Sequence, residues 1–470
     1  MRLQVNTILM GDAYKYTHWM QYPKNLRKVY AYVESRGTKL KIPYTVFFGL
    51  QGFIKDYLEG KVIESWMIDE AKELLGEVFG THEYFNEKGF RRLLEKHNGR
   101  LPIMIRAVRE GKKVKLKNVL VTIENTDEEF PWIVQWIETM LLRAIWYPKG
   151  VATISSAVKD IEKKYAVICG APLNIFFLND FGARGVSSHE SAEIGGAAHL
   201  VNYYGTDTIE GIRWAKYRYG NIANNRTDAC GYSVFATEHS TTTIYTKNGE
   251  LNAYTHFLNT VPTDKLISIV IDSYDTENAV KSLLGDKLKD KILNRVAPTV
   301  FRPDSGDPVE MSLKVVTWLW EIFSGTINEK GYKILNPKVR VIYGDGINLD
   351  IIDAICKNLV DSGFSTENIV FGMGGKLLQS SVDRDTFMDA CKVCYAEIDG
   401  VGIDIYKDPI TDTGKKSKRG QLKLISLNGE YTTVRKEEYP EIMDELITVF
   451  ENGNLFNEID FATIRKNAAE

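Results

Sequence analysis

Residues 299–310, TVFRPDSGDPVE, have the pattern of one β/α unit. A β-branched, apolar run ends at Arg302, and Asp304 follows it, with Pro303 between them. Such a run is typical of a buried strand, and a proline after it stiffens the turn. The helix-like segment VEMSLKVVTWLWEIF comes next. A strand that ends in charged residues and leads into a helix predicts a β/α unit, whose functional side chains stand at the carboxyl end of the strand.

The same pattern repeats along the chain from about residue 170. Short apolar strands alternate with helix-like segments, at the spacing of β/α units. Alternating strands and helices form a parallel sheet, and about seven such units predict an α/β barrel. The polar or glycine positions at the predicted strand ends are Asp180, Asp207, Glu238, His239, Asp272, Arg302, Asp304, Asp345, Gly374 and Gly375.

The two ends of the chain have a different pattern. Residues 103–126 contain strand-like segments separated by the turn-like EGKK, which predicts antiparallel pairing. After residue 395 strand-like segments return, with the basic stretch TGKKSKRGQLKL and a final helix. With 470 residues, the chain is long enough for a barrel and an added domain.

The charge balance argues against a general nucleic-acid-binding protein. A formal net charge of -3 results from 59 Lys and Arg against 62 Asp and Glu, whereas nucleic-acid binding requires a basic surface. We therefore expect small molecules or a second copy of the chain as partners, and no nucleic acid.

Cysteine usage and hydropathy predict a cytoplasmic protein. The five cysteines are scattered and odd in number, which is typical of a reducing compartment. Cys391 and Cys394 form a CxxC pair without a second pair or nearby histidines, so we expect two small strand residues rather than a zinc site. The N-terminal sequence lacks the features of a signal peptide, and no stretch has the apolar length of a membrane span.

The residues expected at the barrel mouth predict a phosphorylated sugar as the ligand. Carboxylates hold sugar hydroxyls or a divalent cation such as magnesium, and arginines bind phosphates in bidentate fashion. Two glycine clusters, 344–346 and 372–375, follow the last two strands, where barrels often bind phosphate. Arg184 and Arg384 join the charged positions already named.

Each of these positions has an alternative interpretation. A lone glycine cluster is more often a tight turn than a phosphate cradle. An aspartate at a strand end often caps the next helix, and a single histidine is often packed or solvent-facing. The joint occurrence of charges and glycines at nearly every β/α junction, with three arginines among them, favours a ligand site.

Eight motifs occur along the chain, in the order GDAYKYTHWMQYP, NDFGARGVSSHES, HLVNYYGTDT, GYSVFATEHS, DSYD, FRPDSGDP, YGDGIN and FGMGGKLLQ. With these motifs, the sequence resembles the nicotinamide-using members of the nicotinate/nicotinamide phosphoribosyltransferase family, which are type II phosphoribosyltransferases. The resemblance covers residues 5 to 468.

The resemblance implies a reaction and a fold. Members of this family transfer the 5-phosphoribosyl group from 5-phosphoribosyl-1-diphosphate to nicotinamide in NAD salvage, with magnesium and with ATP as a co-substrate. The implied fold is an irregular α/β barrel over residues 169–382 and an α+β domain with an antiparallel sheet formed by both chain ends, 1–146 and 383–470. Residues 147–168 would connect them. The resemblance further implies a homodimer with shared active sites.

For the base, the resemblance implies that Phe181 stacks on the pyridine and that Tyr14 of a partner subunit covers its other face. Asp207 would accept a hydrogen bond from the carboxamide. A carboxylate opposite nicotinate would meet a like charge, so Asp207 favours the amide over the acid. Ser233 and Ser268 are further expected substrate-binding residues.

For the phosphoribosyl group, the resemblance implies contacts from the barrel residues, 169–382, and from the domain formed by both chain ends. Arg184 and Arg302 would hold the diphosphate, and Asp272 would lie near magnesium. The expected ribose contacts are Asp304, Gly344 and Asp345; the expected 5-phosphate contacts are Gly374, Gly375 and Arg384; the expected cross-subunit basic residues are Arg36, Lys392, Lys407 and Lys415.

His239 resembles the histidine that ATP phosphorylates in this family. A neutral imidazole nitrogen is a suitable nucleophile for a γ-phosphoryl group, and we expect the neighbouring Glu238 to orient it. Two positions depart from the family pattern, Ala183 in place of a tyrosine and Phe235 in place of a proline. Two alternatives remain at this point, a nicotinate phosphoribosyltransferase and a non-catalytic binding or signalling homologue.

Overall fold

The computed structural model describes residues 4–220, 230–408 and 417–470. The chain forms two compact units. The first, called the sheet unit here, comprises Met1–Thr153, Tyr217–Arg226 and Asp383–Glu470. The second, called the barrel unit, comprises Ile154–Lys216 and Thr227–Val382.

Twenty strands lie in the described residues. In chain order, β1 to β20 are Leu26–Ser35, Tyr44–Val46, Ile103–Ala107, Lys113–Lys115, Val119–Asn125, Leu178–Asp180, Gly205–Thr206, Phe235–Ala236, Ile267–Val270, Thr299–Arg302, Gly325–Ile327, Lys333–Leu335, Val339–Tyr343, Ile369–Met373, Asp389–Ile398, Val401–Asp404, Leu422–Leu427, Glu430–Arg435, Ile447–Glu451 and Asn454–Leu455.

Fifteen α-helices lie in the same residues. In chain order, α1 to α15 are Leu50–Phe53, Ser65–Phe79, Glu87–His97, Ile133–Trp136, Glu138–Cys169, His189–His199, Ile209–Tyr219, His239–Thr243, Glu250–Thr260, Thr276–Asn278, Lys289–Leu293, Pro308–Phe323, Leu349–Asp361, Gly375–Leu378 and Phe461–Ala469.

The sheet unit is built on a seven-stranded antiparallel sheet with the order β16-β15-β1-β5-β3-β19-β20. Three of its strands come from the first part of the chain and four from the last part. The apolar face of this sheet packs on α2, α3 and α4, and residues such as Val33, Ile105 and Phe450 are fully buried in the shared core. The expected sheet formed by both chain ends is therefore confirmed.

The CxxC pair lies inside this core. Tyr30 pairs with Tyr395 and Ala31 pairs with Val393, so Cys394 is the extra residue of a β-bulge in β15. The bulge turns both Cys391 and Cys394 into the apolar core, and burial raises the pKa of both thiols well above the usual value. They behave as small packing residues.

The barrel unit is built on a parallel sheet with the order β7-β6-β14-β13-β10-β9-β8. The two ends of this sheet meet, because Tyr232, just before β8, donates to the Tyr204 carbonyl at 2.7 Å and accepts from the Thr206 amide at 2.9 Å. Around the resulting ring, strands follow one another in chain order, as in an α/β barrel. The expected fold class is confirmed.

Residues 299–310 have the predicted strand, turn and helix conformation. Thr299, Val300 and Phe301 of β10 are buried. Asp307 accepts a hydrogen bond from the Glu310 amide at 2.9 Å and caps α12, which begins at Pro308. The residues between strand and helix are thereby fixed at the carboxyl end of the barrel.

Helix α5 spans 32 residues. Both expected domain boundaries, at residues 146 and 168, fall within it, and the division between the two units lies between Thr153 and Ile154. Among the described helices, none has both the length and the apolar character that crossing a membrane requires.

A buried ion pair stabilises the sheet unit where β1 and β15 end. Lys149 lies 2.9 Å from a carboxylate oxygen of Asp389, and both side chains are 0% exposed. Lys149 also donates to the Ser35 hydroxyl at 2.8 Å and lies over the ring of Phe387. Burial lowers the pKa of Lys149, and the nearby Asp389 carboxylate partly offsets this shift by favouring the charged ammonium.

This geometry predicts a large effect of removing one partner. Lys149→Met leaves the Asp389 carboxylate buried without its cation, so the free energy of unfolding should fall by about 3–5 kcal/mol. Urea unfolding of the variant and of the unmodified protein measures this change in the free energy of unfolding. The matched control is Lys164→Met, which removes an exposed pair with Asp353 and should change stability by no more than about 1 kcal/mol. Equal effects of the two substitutions would contradict the prediction.

Candidate active site

The carboxyl ends of the barrel strands carry the predicted polar positions. Asp180 is the last residue of β6, Asp207 follows β7, and Asp272 follows β9. Because parallel strands present their carboxyl ends at one face, all three residues lie at the mouth end of the barrel, although the side chain of Asp180 is buried there. The other predicted positions of this unit lie at the same mouth: Phe181, Arg184, Glu238, His239, Arg302, Asp304, Gly344, Asp345, Gly374 and Gly375.

A cavity of about 410 Å³ lies within the barrel unit. Its wall includes Phe181, Asp207, Ser233, Ser268 and Arg302, all of which the sequence assigned to substrate binding. Its volume is typical of small-molecule sites.

The ring of Phe181 lies directly against two glycines. A Cβ atom at Gly372 would lie 2.0 Å from a ring carbon of Phe181, and one at Gly344 would lie 3.2 Å away. The Phe181 amide donates to the Met373 carbonyl at 3.0 Å, which fixes the start of the turn. The glycine clusters thus provide the space for this ring, a steric role that the sequence analysis did not identify.

Asp207 presents an exposed carboxylate to the same cavity. The Ser233 hydroxyl donates to it at 2.5 Å. The Asp207 amide donates to the Asp180 carbonyl at 2.9 Å, so the residue is held at both its backbone and its side chain. The carboxylate is therefore available to a donor on a ligand.

His239 pairs with Asp272. Its Nε2 atom lies 3.1 Å from a carboxylate oxygen of Asp272, and the two side chains are 46% and 3% exposed. Glu238, which we expected to orient the histidine, instead forms a capping box with Thr241 at the start of α8. That expectation was wrong because a residue before a helix is drawn to the free amides of the first turn.

Arg302 and Asp304 lie beside this pair. Burial raises the pKa of Asp304, Arg302 opposes the shift, and the carboxylates of Asp272 and Asp345 add to it. The Nε atom of Arg302 is buried and has no hydrogen-bond partner within the described residues. A buried guanidinium donor without a partner is suited to an anionic ligand group.

The remaining predicted positions at the mouth differ in exposure. Arg184 and Asp345 are exposed, and Gly374 and Gly375 are partly exposed. Gly375 packs against Gly185, where an added Cβ would lie 2.9 Å from the Gly375 Cα. The turn that carries Arg184 thus lies next to the glycine turn after β14.

In the described residues, no group of three or more His, Cys, Asp or Glu side chains is arranged to hold a metal ion by itself.

Asp180 does not face the mouth, although the sequence placed it there. It is 0% exposed, and its carboxylate accepts hydrogen bonds from the Gly182 amide at 2.7 Å and from the Thr206 hydroxyl at 3.2 Å. Burial raises its pKa to about 6. Side chains alternate in direction along a strand, and the Asp180 carboxylate turns toward Gly182 and Thr206 and does not line the cavity.

Five predicted residues lie in the sheet unit. Tyr14 is 59% exposed on a 3-10 helix, Ala13–Met20. Arg36 contacts Glu34 at 2.9 Å and Arg384 contacts Asp385 at 2.7 Å. The others are Lys392 on β15 and the exposed Lys407. Lys415 lies outside the described residues.

Comparison with known proteins decides the family. A model described as the nicotinate phosphoribosyltransferase (NAPRTase) family matches residues 176–454, more than half of the chain. The chain belongs to this family. A second model, described as the nicotinamide phosphoribosyltransferase N-terminal domain, matches residues 6–105. The resemblance drawn from the motifs, and the expectation of a phosphoribosyltransferase enzyme, are confirmed.

Similar proteins cover the whole chain. A protein of Xanthomonas campestris pv. campestris named nicotinamide phosphoribosyltransferase is 42% identical over 473 residues, covering 98% of each chain. A protein of Acinetobacter baylyi with the same name is 34% identical over 514 residues, covering 100% of this chain and 98% of that one.

Two solved structures of other proteins have a fold similar to that of this chain. Nicotinate-nucleotide pyrophosphorylase from Pyrococcus furiosus aligns with a TM-score of 0.65 at 15% identity, covering 100% of this chain and 96% of that one. Human nicotinic acid phosphoribosyltransferase aligns with a TM-score of 0.55 at 13% identity, covering 98% and 93%. At these identities the likeness concerns the fold alone.

The contact between ring and glycine predicts a double-mutant result. Gly372→Ala should lower the free energy of unfolding by about 1–3 kcal/mol, because the new methyl group displaces the Phe181 ring. The same substitution in a Phe181→Ala background should cost clearly less, and Gly344→Ala should cost less than Gly372→Ala. Urea unfolding of the variants measures the coupling. An equal cost of Gly372→Ala in both backgrounds would refute the contact.

Proposed function

We propose that this phosphoribosyltransferase transfers the 5-phosphoribosyl group from 5-phosphoribosyl-1-diphosphate to nicotinamide in NAD salvage. The products are nicotinamide mononucleotide and diphosphate. The proposal goes beyond the family, whose name refers to nicotinate, because it chooses between the amide and the acid.

The observation that carries the choice is the Asp207 carboxylate in the cavity that Phe181 also lines. Phe181 offers a flat face to a pyridine ring, and Asp207 can accept a hydrogen bond from a carboxamide NH2 group. The carboxylate of nicotinate would place a second negative charge beside Asp207, and the repulsion between like charges costs free energy. The names of the Xanthomonas and Acinetobacter relatives agree with this choice.

The mouth residues suit the chemistry of the transfer. The bond between ribose C1 and diphosphate breaks while positive charge builds up on the ribose, and the pyridine nitrogen forms the new bond to C1. Arg302 and Arg184 would stabilise the departing diphosphate. Asp304 and Asp345 would hold ribose hydroxyls and lie near the developing cation. Phe181 would align the base for attack.

Magnesium is the proposed metal ion, bound chiefly through the diphosphate, because the protein carboxylates alone do not form a metal site among the described residues. Asp272 and Asp345 each raise the pKa of Asp304, so a cation near them would be favoured by their negative charge. Bound to the diphosphate, magnesium would neutralise charge on the leaving group. Asp272 is the residue that we propose nearest to it.

ATP is the proposed co-substrate, acting through His239. If Nε2–H donates to Asp272, the Nδ1 atom keeps its lone pair and can attack the γ-phosphorus of ATP. The N–P bond forms as the bond to the β-phosphate oxygen breaks, and ADP leaves. The phosphorylated histidine would place negative charge beside the magnesium and diphosphate sites. Hydrolysis of the N–P bond by water would restore the histidine.

A homodimer is the proposed assembly. Tyr14 of a partner subunit would cover the second face of the pyridine. Its 59% exposure leaves much of the ring accessible to such a contact. The proposed cross-subunit phosphate contacts are Arg36, Lys392, Lys407 and Lys415.

The 5-phosphate group is the remaining part of the substrate. Its proposed contacts are Gly374, Gly375 and Arg384.

The test of the substrate choice compares nicotinamide with nicotinate. Diphosphate release with 5-phosphoribosyl-1-diphosphate and magnesium should be faster with nicotinamide. Asp207→Asn should reduce the preference for the amide by at least about tenfold, since it removes the like-charge penalty and the charged acceptor. Asp353→Asn, an exposed carboxylate of the same unit, is the control and should keep the preference. A faster rate with nicotinate would overturn the proposal.

The test of the ATP step uses two histidines that each begin a helix. His239→Ala should abolish stimulation by ATP and the appearance of acid-labile phosphate on the protein, while basal transfer remains. His189→Ala is the control, because His189 begins α6 and also lies near a carboxylate, Glu193, at 3.4 Å. Unchanged ATP stimulation in His239→Ala would contradict the role of this histidine.

A further inference from the structure

We infer that Asp180 is a positioning residue that sets base selectivity by joining the turn of Phe181 to the turn of Asp207. This inference rests on the proposed function. Asp180 is fully buried and is not among the residues that line the cavity. It acts through its neighbours and touches no substrate.

One side of the Asp180 carboxylate holds the Phe181 turn. Its Oδ1 atom accepts from the Gly182 amide at 2.7 Å. The Gly182 carbonyl accepts in turn from the Gly185 amide at 2.8 Å. The turn that begins with Phe181 and carries Arg184 is therefore anchored to the buried carboxylate of Asp180.

The other side of Asp180 holds the Asp207 turn. Its Oδ2 atom accepts from the Thr206 hydroxyl at 3.2 Å, and that hydroxyl accepts from the Thr208 amide at 3.0 Å. The Asp180 carbonyl accepts from the Asp207 amide at 2.9 Å. Asp207 thus lies between two residues, Thr206 and Thr208, whose positions depend on one carboxylate.

The chemistry of this position favours a carboxylate. Donors approach both of its side-chain oxygens, and an asparagine would offer one oxygen and turn an NH2 group toward a donor. The charge is costly to bury, as the raised pKa of Asp180 shows. Both carboxylate oxygens accept a hydrogen bond, from the Gly182 amide and from the Thr206 hydroxyl, so both acceptors are used.

The consequence concerns the distance between the Phe181 ring and the Asp207 carboxylate. Discrimination between amide and acid requires the ring to bring the carboxamide within hydrogen-bond reach of Asp207. If the hydrogen bonds that connect the two turns were lost, Phe181 and Asp207 would both be present but misaligned. We therefore expect loss of these bonds to change the preference for the amide more than the stability of the fold.

Two variants test the inference. Asp180→Asn removes one acceptor, and Thr206→Val keeps the carboxylate but removes the donor toward it. Thr299→Val is the control for the loss of a buried hydroxyl, because Thr299 is also a fully buried threonine of a barrel strand, and its hydroxyl has no partner among the described residues. Thr206 also lines the cavity, whereas Thr299 does not, so Asp180→Asn is the variant that leaves the cavity wall unchanged. The readout is the ratio of kcat/KM for nicotinamide to kcat/KM for nicotinate, with the urea midpoint measured alongside.

We expect both Asp180→Asn and Thr206→Val to lower this ratio at least about tenfold, and Thr299→Val to leave it unchanged. If Asp180→Asn fails to fold, Thr206→Val decides. A folded variant of either kind with the ratio of the unmodified enzyme would overturn the inference. Failure of the proposed function would be visible separately, as a ratio below one in the unmodified enzyme.

Discussion

The position of the Phe181 ring depends on a steric constraint, the absence of side chains at Gly372 and Gly344. The ring lies so close to the backbone after β13 and on β14 that a methyl group at Gly372 would overlap it. Gly372 lies on β14 and Gly344 directly follows β13, so the ring packs against the backbone at the mouth end of the barrel. A ring that is already in place in the free protein reduces the entropy lost on binding.

Around this fixed ring, charge is distributed unevenly. Burial raises the pKa of Asp304, the carboxylates of Asp272 and Asp345 add to this, and Arg302 and His239 oppose it. A reaction that develops positive charge on a ribose and negative charge on a leaving group suits such a mixture. The His239–Asp272 pair links the proposed ATP step to the same group of acids.

Much of the site could be predicted from the sequence, because strand ends are local features. The run before Arg302 and the proline after it already predict a strand, a turn and a helix. The partner of His239 could not be predicted in this way, since Asp272 follows a neighbouring strand, and local order favoured Glu238. The burial of Asp180 depends on which face of a three-residue strand turns inward. The bulge at Cys394 depends on the register between β15 and β1, which come from opposite ends of the chain.

The proposed function requires Phe181 and Asp207 to bind one nicotinamide ring together. A crystal structure with nicotinamide mononucleotide bound would show whether they do. We expect the pyridine ring stacked on Phe181 and the carboxamide nitrogen about 2.9 Å from a carboxylate oxygen of Asp207. A pyridine ring bound away from Phe181, or a carboxamide turned away from Asp207, would contradict it.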